Sequence, residues 1–266
     1  MVKFYIGTAG WDYKDWVGPF YPKTIDKKHH LKFYTKHFDV VEINSTFYNL
    51  PSKEIVNNWL NNTPDSFRFT VKIWQEITHK LIQNDIENKV VQFFDRLSLL
   101  KEKTNRFLLQ FPPWFKYSEK HVNILKILLN EVPEEYQYAI ELRDNSWFYP
   151  KIITELIDGD RFILSTTYMP GFNPFYYPNQ QVYYIRMIGD RELTVFNRIQ
   201  RNQEEAIMDL KNKVKKIMAL PTIREIFIIV NNHFAGFAPE TANLIKKLFN
   251  IPIRKYNAQK SLFDFI

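Results

Sequence analysis

The feature that most restricts the fold is a repeated alternation. Short β-rich runs at residues 2–7, 39–44, 67–73, 106–110, 136–142, 161–165, 181–186 and 225–230 are separated by stretches with helical apolar spacing. Strands joined through helices pair in parallel by right-handed crossovers, and a parallel sheet must be covered by those helices. Eight such runs close the sheet on itself. At 266 residues the chain also has the length such barrels use, about 250. The expected fold is therefore α/β, a single (β/α)8 TIM barrel over residues 1–250, followed by a C-terminal tail over residues 251–266.

Several helices announce their starts. Ser52 precedes Ile55, Val56, Trp59 and Leu60. Asn84 with Glu87 forms a capping pattern ahead of Ile86, Val90, Phe94 and Leu97. Ser118 opens a stretch carrying Val122, Leu125 and Leu129, and Ser146 one carrying Ile153, Leu156 and Ile157. Later stripes are Ile207, Leu210, Val214 and Ile217, then Leu244, Ile245 and Leu248. The connection between strands six and seven, residues 166–180, is irregular. It holds Pro170, Pro174, Pro178 and a run of aromatics where a helix is expected. Two readings stand: a wall or lid over the site, or a degenerate crossover packed by its own rings.

Strand parity locates the site. Val41 and Ile43 share one face of strand two, and Glu42 and Asn44 the other. Strand three sets Phe69, Val71 and Ile73 against Thr70 and Lys72; strand five sets Ile140 and Leu142 against Glu141 and Arg143. Strand seven sets Tyr183 and Ile185 against Tyr184 and Arg186, and strand eight Ile228 and Val230 against Ile229 and Asn231. The apolar parity faces the helices, so the polar parity points into the barrel. Glu42, Asn44, Lys72, Gln110, Glu141, Arg143, Arg186 and Asn231 are expected to converge at the C-terminal ends of the strands, where such barrels place their chemistry.

Burying that many charges requires pairing, water or a ligand. One reading is a closed network of salt bridges, Glu42 with Lys72 and Glu141 with Arg143. The other is a pocket whose cationic surplus awaits a phosphate or carboxylate, which Arg binds bidentately. On the second reading Glu42, Lys72, His79 and Glu141 are the candidate catalytic groups. Trp11, Asn44, Tyr48, Gln110, Arg143, Trp147, Arg186, Asn231 and Asn232 are the candidate substrate contacts. Trp11, Tyr48 and Trp147 would stack on a base or sugar, with core packing as their alternative. His79 is an acid or base, or simply a surface-loop histidine. The run Gly7-Thr8-Ala9-Gly10-Trp11 after strand one would let backbone approach a ligand closely, and Gly236 lets the loop after Asn231-Asn232-His233 turn.

Composition narrows the partners. Lys and Arg outnumber Asp and Glu by 36 to 29, a formal charge of +7 that favours a phosphate-containing ligand or DNA. With no cysteine, disulfides, thiolate metal sites and thiol catalysis are excluded. Of the 6 histidines none lies four residues from another, so a zinc cluster lacks ligands, and only a single carboxylate-bound Mg2+ or Mn2+ stays open. The N-terminus reads as a strand without the apolar core of a signal peptide, and the longest apolar run, 226–230, is too short to cross a bilayer. A cytoplasmic location without membrane contact is expected.

Several motifs, read together, resemble the YecE-like family, a group of unknown function, over about residues 3–248. They are Gly7-Thr8-Ala9-Gly10-Trp11, the segment from Trp16 to Pro22, the segment from Val41 to Tyr48, and Thr78-His79. Others are Gln110 to Pro113, Glu141-Leu142-Arg143 with Ser146-Trp147, Tyr184-Ile185-Arg186, and Asn231-Asn232-His233. The resemblance implies a TIM barrel and brings no activity. A looser likeness to endonuclease IV and xylose isomerase barrels concerns fold alone. Ile188 stands where the family usually has a histidine after the strand-seven arginine. The tail resembles a sliding-clamp-binding peptide (PIP box), with Gln259, Leu262 and Phe265 at its spacing and Ile266 where a second aromatic is usual. Packing of the tail on the barrel is the alternative. The functional expectation is a DNA- or nucleotide-associated phosphodiester hydrolase tethered to a sliding clamp. The alternatives are an enzyme acting on a sugar phosphate or other small anionic metabolite, and a non-catalytic DNA- or clamp-binding protein.

Overall fold

A computed structural model describes residues 2–80, 85–148 and 150–256. In chain order the main elements are β1 (Lys3–Ala9), α1 (His30–Tyr34), β2 (Val40–Ile43), α2 (Ser45–Tyr48), α3 (Lys53–Asn61), β3 (Arg68–Lys72), α4 (Gln75–Thr78) and α5 (Ile86–Leu97). There follow β4 (Thr104–Gln110), α6 (Glu119–Glu131), β5 (Tyr138–Glu141), α7 (Pro150–Leu156), β6 (Phe162–Tyr168), β7 (Val182–Met187), α8 (Glu204–Met218), β8 (Glu225–Val230), α9 (Asn232–Ala235) and α10 (Ala238–Leu248). The eight strands form one closed barrel in sequence order, every neighbouring pair parallel, with β8 closing on β1 through Ile6 opposite Ile228. No helix among the described residues is long and apolar enough to cross a membrane.

Parity divides the core into two bodies, as a barrel requires. Val41, Ile43, Phe69, Val71, Ile140, Ile185 and Ile228 pack outward against the helical stripes Val56 and Trp59, Val90 and Phe94, and Leu210 and Val214. Inside, Tyr5, Val40, Leu108, Ile163, Tyr184, Phe227 and Ile229 fill the lumen. Tyr5 stacks on Phe227 at 4.6 Å, and Phe227 on Tyr184 at 5.7 Å. This aromatic plug fills the barrel interior.

Several local expectations shift. Strand β1 continues to Ala9, and Gly7 lies inside it. A Cβ on Gly7 would come within 2.1 Å of the Val40 carbonyl oxygen, so its close approach serves the neighbouring strand and not a ligand. Gly236 does turn the chain after α9, at φ 103°. Strand β6 runs to Tyr168, because Thr167 and Tyr168 pair with Arg186 and Met187. Ser52 and Ser118 cap α3 and α6 as expected, accepting from the Ile55 and His121 N–H groups. Ser146 opens no α-helix: it sits in the 3-10 turn Asn145–Trp147, capped by Asp144, and its Oγ accepts from Tyr117 N–H. Asn84 lies outside the described residues; Asp85 occupies the N-cap of α5, its carboxylate accepting from the Asn88 side-chain amide and from no backbone N–H of the first turn.

The β6–β7 connection carries no helix. Phe175 stacks on Phe148 at 4.8 Å, and Tyr176 meets the Tyr168 hydroxyl at 2.9 Å, so its own rings pack it in place of a helical stripe. After α10, Asn250 takes the left-handed conformation at φ 56°, and Ile251 N–H returns to the Lys246 carbonyl. The chain then folds back on the barrel. His37 Nδ1 lies 2.9 Å from Arg254 O, Arg254 pairs with Asp39 at 3.0 Å, and Tyr256 sets its ring edge against Phe20. Gln259, Leu262, Phe265 and Ile266 lie outside the described residues.

Candidate functional site

Five charged side chains meet at the strand ends, and a single residue organises four of them. Arg186 of β7 binds Glu42 of β2 through two nitrogens, Nε to Oε2 at 2.9 Å and Nη2 to Oε1 at 2.6 Å. Its third nitrogen, Nη1, donates to Glu141 Oε2 of β5 at 2.5 Å. Glu141 Oε1 accepts from Arg143 Nε at 2.6 Å. Tyr184 Oη donates to Glu42 Oε2 at 2.8 Å and lies 2.7 Å from Thr70 Oγ1. Every carboxylate oxygen thus has a donor, which is the condition for burying charge in a barrel lumen.

The network is not the one expected from sequence. Arg143 does pair with Glu141, but Glu42 pairs with Arg186 and not with Lys72. Lys72 Nζ instead sits 3.8 Å from the centre of the Phe47 ring, with no hydrogen bond or ion pair among the described residues. It is 9 % exposed. Burial first, then the Arg186 charge, bring its pKa from 10.5 down to about 7, against the opposing pull of Glu141. Burial alone would raise the Glu141 carboxyl, but Arg186 and Arg143 more than offset it and hold the group at about 2. Arg186 is raised: burial opposes its charge, and Glu141 and Glu42 outweigh burial.

Above this layer lies a cavity of about 560 Å³ whose wall includes Asn44, Tyr48, Lys72, Arg143, Arg186, Asn231, Asn232 and His233. Met169 from the β6–β7 connection also lines it, so that segment is both ring-packed and a piece of the wall. A larger cleft of about 980 Å³ adjoins at Met169 and Gly189, but its charged lining is Glu204, Glu205 and Asp209. Of the two, the smaller cavity is the cationic one, with Lys72, Arg143, Arg186 and Arg191 in its wall against Asp190.

The other candidates divide by what already holds them. Tyr48 is 58 % exposed at the cavity rim and free to meet a ligand. Asn231 spends its side-chain oxygen on His233 N–H, capping α9. Asn232 is buried, its oxygen accepting from Trp16 Nε1 and Ala238 N–H, so it fastens the β8 loop to the first loop. Gln110 is buried, turns its amide back to the Phe111 carbonyl at 2.6 Å, and is not among the residues that line the cavity. Trp147 is not a stacking platform: it is fully buried, donates to Phe115 O and stacks on Phe115 at 5.3 Å. Trp11 packs edge-on to Trp59 at 5.8 Å and is not among the residues that line the cavity. His79 stands behind Phe47, ring to ring at 4.9 Å, its Nδ1 2.9 Å from Thr78 Oγ1. Burial, then Lys72 and Arg143, depress its pKa from 6.5 to about 4, so it is neutral at pH 7 and a poor acid.

Two important residues escaped the sequence reading. Tyr184 carried a usable signal, since its parity is that of Arg186. Phe47 carried none, because its contact with Lys72 depends on how the short α2 turns over the end of β3. Donor chemistry also bears on metals. A Mg2+ or Mn2+ between Glu42 and Glu141 would have to displace Arg186, and among the described residues no group of three or more His, Asp or Glu is placed to hold a metal ion.

Comparison with known proteins agrees with the barrel. The chain is 25 % identical to the UPF0759 protein YunF of Bacillus subtilis (strain 168), over 93 % of this chain and 95 % of that one. It is 31 % identical to the UPF0759 protein YecE of Escherichia coli (strain K12), over 54 % of this chain and 50 % of that one. Crystal structures of DUF72 family proteins from Thermotoga maritima MSB8 and Enterococcus faecalis V583 superpose with TM-scores of 0.76 and 0.75 at 26 % and 24 % identity. These alignments cover 93 % and 95 % of this chain and 99 % of each of the others. The family model described as "Protein of unknown function DUF72" matches residues 5–262, and the chain therefore belongs to the DUF72 family.

Proposed function

We propose that this barrel is an enzyme acting on a small metabolite that carries a phosphate or carboxylate, with Arg143 as the oxyanion anchor and Lys72 as the group that exchanges protons. One observation carries the reading. Lys72 is a buried amine at the cavity wall with no acidic partner among the described residues, held at about 7, where it both takes up and releases a proton near neutral pH. Arg143 supplies the complement. Its Nε is committed to Glu141, which leaves its two terminal nitrogens without a partner among the described residues, and the side chain lines the cavity. Glu42 and Glu141 then position Arg186 and Arg143. With all four oxygens donated to, and with Glu141 at about 2, neither carboxylate suits a general base.

The test is calorimetric titration with inorganic phosphate and glycerol 3-phosphate. Saturable binding is expected, weakened about ten- to a hundredfold in Arg143→Gln, since a charge-assisted hydrogen bond contributes ~1.5–3 kcal/mol. Equal binding by wild type and Arg143→Gln, or none by the wild type, refutes the reading.

The sequence of the tail supports a second reading, a DNA-associated protein tethered to a sliding clamp, possessing or lacking phosphodiesterase activity. Gln259, Leu262 and Phe265 have the clamp-binding spacing, and the +7 charge suits DNA. It ranks second because two of its three stacking candidates, Trp11 and Trp147, are committed to protein packing. Co-elution with a purified clamp, abolished by deleting residues 259–266, together with binding or cleavage of damaged or branched DNA, is its expected signature. Absence of both removes it.

A further inference from the structure

We infer that Lys72 is a covalent nucleophile that forms an imine with a carbonyl compound bearing an oxyanion. This inference rests on the anion-pocket reading and names the substrate class for it.

The buried lysines differ in what holds their ammonium groups. Lys103 donates to the Thr63 carbonyl at 2.7 Å and to the Leu60 carbonyl at 3.3 Å. Lys246 donates to the His37 carbonyl at 3.1 Å. Both ammonium groups are held by backbone oxygen, as burial demands. Among the described residues Lys72 has no such acceptor, and the face of Phe47 alone supports it. A lysine kept for structure would have a carbonyl or carboxylate within reach. Glu42 and Glu141 are near enough to act on Lys72 through space, yet both are consumed by Arg186 and Arg143.

The result is an amine beside aromatic surface and cationic neighbours, facing a cavity. Those are the two conditions that make a lysine nucleophilic at neutral pH. The charged groups around it come from β2 (Glu42), β5 (Glu141), the loop after β5 (Arg143) and β7 (Arg186), and the neutral, titratable His79 stands at the end of α4. Arg186 is the largest electrostatic influence, and it lowers the pKa. The substrate class follows from what shares the wall. Arg143 offers two free nitrogens to a carboxylate or phosphate, which would hold a carbonyl carbon in the same cavity as Nζ.

The step balances without a further reactant. The Nζ lone pair attacks the carbonyl carbon, forming C–N while the C=O π pair moves to oxygen. That oxygen is protonated, Nζ gives up a proton, and the resulting carbinolamine loses one water. The product is an imine, which, protonated, accepts the electron pair of an adjacent C–H or C–C bond.

Borohydride trapping tests it. The full chain is incubated with sodium cyanoborohydride and pyruvate, dihydroxyacetone phosphate or acetone, then analysed by intact mass and peptide mapping. We expect one adduct per chain, mapped to Lys72, formed with the two anionic probes, suppressed by inorganic phosphate and lost in Lys72→Arg. Arg143→Gln should slow trapping of the anionic probes and leave acetone unchanged. Mapping on the wild-type chain identifies the residue even if Lys72→Arg fails to fold. Calorimetric phosphate binding without a Lys72 adduct overturns the imine and leaves the anion pocket standing. An adduct as fast with acetone as with pyruvate overturns the substrate class. Labelling spread over surface lysines overturns the site, and no phosphate binding with no adduct removes both readings.

Discussion

Arg186→Met is expected to lower the free energy of unfolding by about 3–5 kcal/mol at pH 8, the usual cost of removing one partner from a buried ion network. The guanidinium neutralises two fully buried carboxylates at once, and three of their four oxygens lose a donor with it. Tyr184 keeps one bond on Glu42 and Arg143 one on Glu141. The pH dependence follows from the signs. In the wild type Glu141 is held at about 2, below its ordinary 4.5, so its contribution is present above 4.5 and is lost only as pH falls towards 2. In the variant Glu141 loses the largest influence that opposes burial and keeps Arg143, so its carboxyl rises from its wild-type position; the deficit is largest at pH 8 and shrinks as the group protonates. Urea unfolding at pH 8 and pH 5 measures both effects. A loss below about 1 kcal/mol, or one that grows towards acid, contradicts the network. Adding Glu42→Gln and Glu141→Gln should recover much of the stability, because the unpaired charges are gone.

Lys72→Met is expected to act in the opposite direction on stability. The folded amine lies at about 7 against an ordinary 10.5. Between those values the unfolded chain binds a proton that the folded chain does not, so this group makes stability rise with pH across about 7 to 10.5. At pH 7 and below, the fold carries a buried ammonium with an aromatic face in place of an acceptor. Methionine of similar shape removes that burden and packs on Phe47, so Lys72→Met should gain about 1–3 kcal/mol at pH 7, or about 3–10 °C in Tm. The gain should fade towards pH 10. Such stabilisation by deleting a polar group is the mark of a side chain kept for function. Thermal melts at pH 7 and pH 10 decide it, and a variant less stable than the wild type at pH 7 would show that Lys72 serves the fold.

Much of the architecture could be read before any coordinates. Strand parity sorted Glu42, Lys72, Glu141, Arg143 and Arg186 to one end of the barrel, because in-register parallel strands leave each residue only two directions to point. Serine caps located α3 and α6, since the bond from the third N–H is local in sequence. Ser146 misled for the same reason: Pro150 starts the helix proper, and Asp144 had already capped the turn at Asn145.

What failed was assignment of partners and of aromatic roles. Trp147 looks identical in sequence whether it lines a cavity or fills a core, and only the position of Phe115 decides. Asn232 next to Asn231 gives no hint that one caps a helix and the other ties Trp16 to the β8 loop.

Periodicity, chain length and the alternation of strands with helices by themselves determined the barrel and the end at which its charges gather, because those features depend on near neighbours along the chain. The tertiary structure alone decided that Arg186 takes both glutamates and leaves Lys72 on Phe47. That choice is made among side chains 45 to 144 residues apart, in a low-dielectric lumen where the best-placed donor excludes the rest.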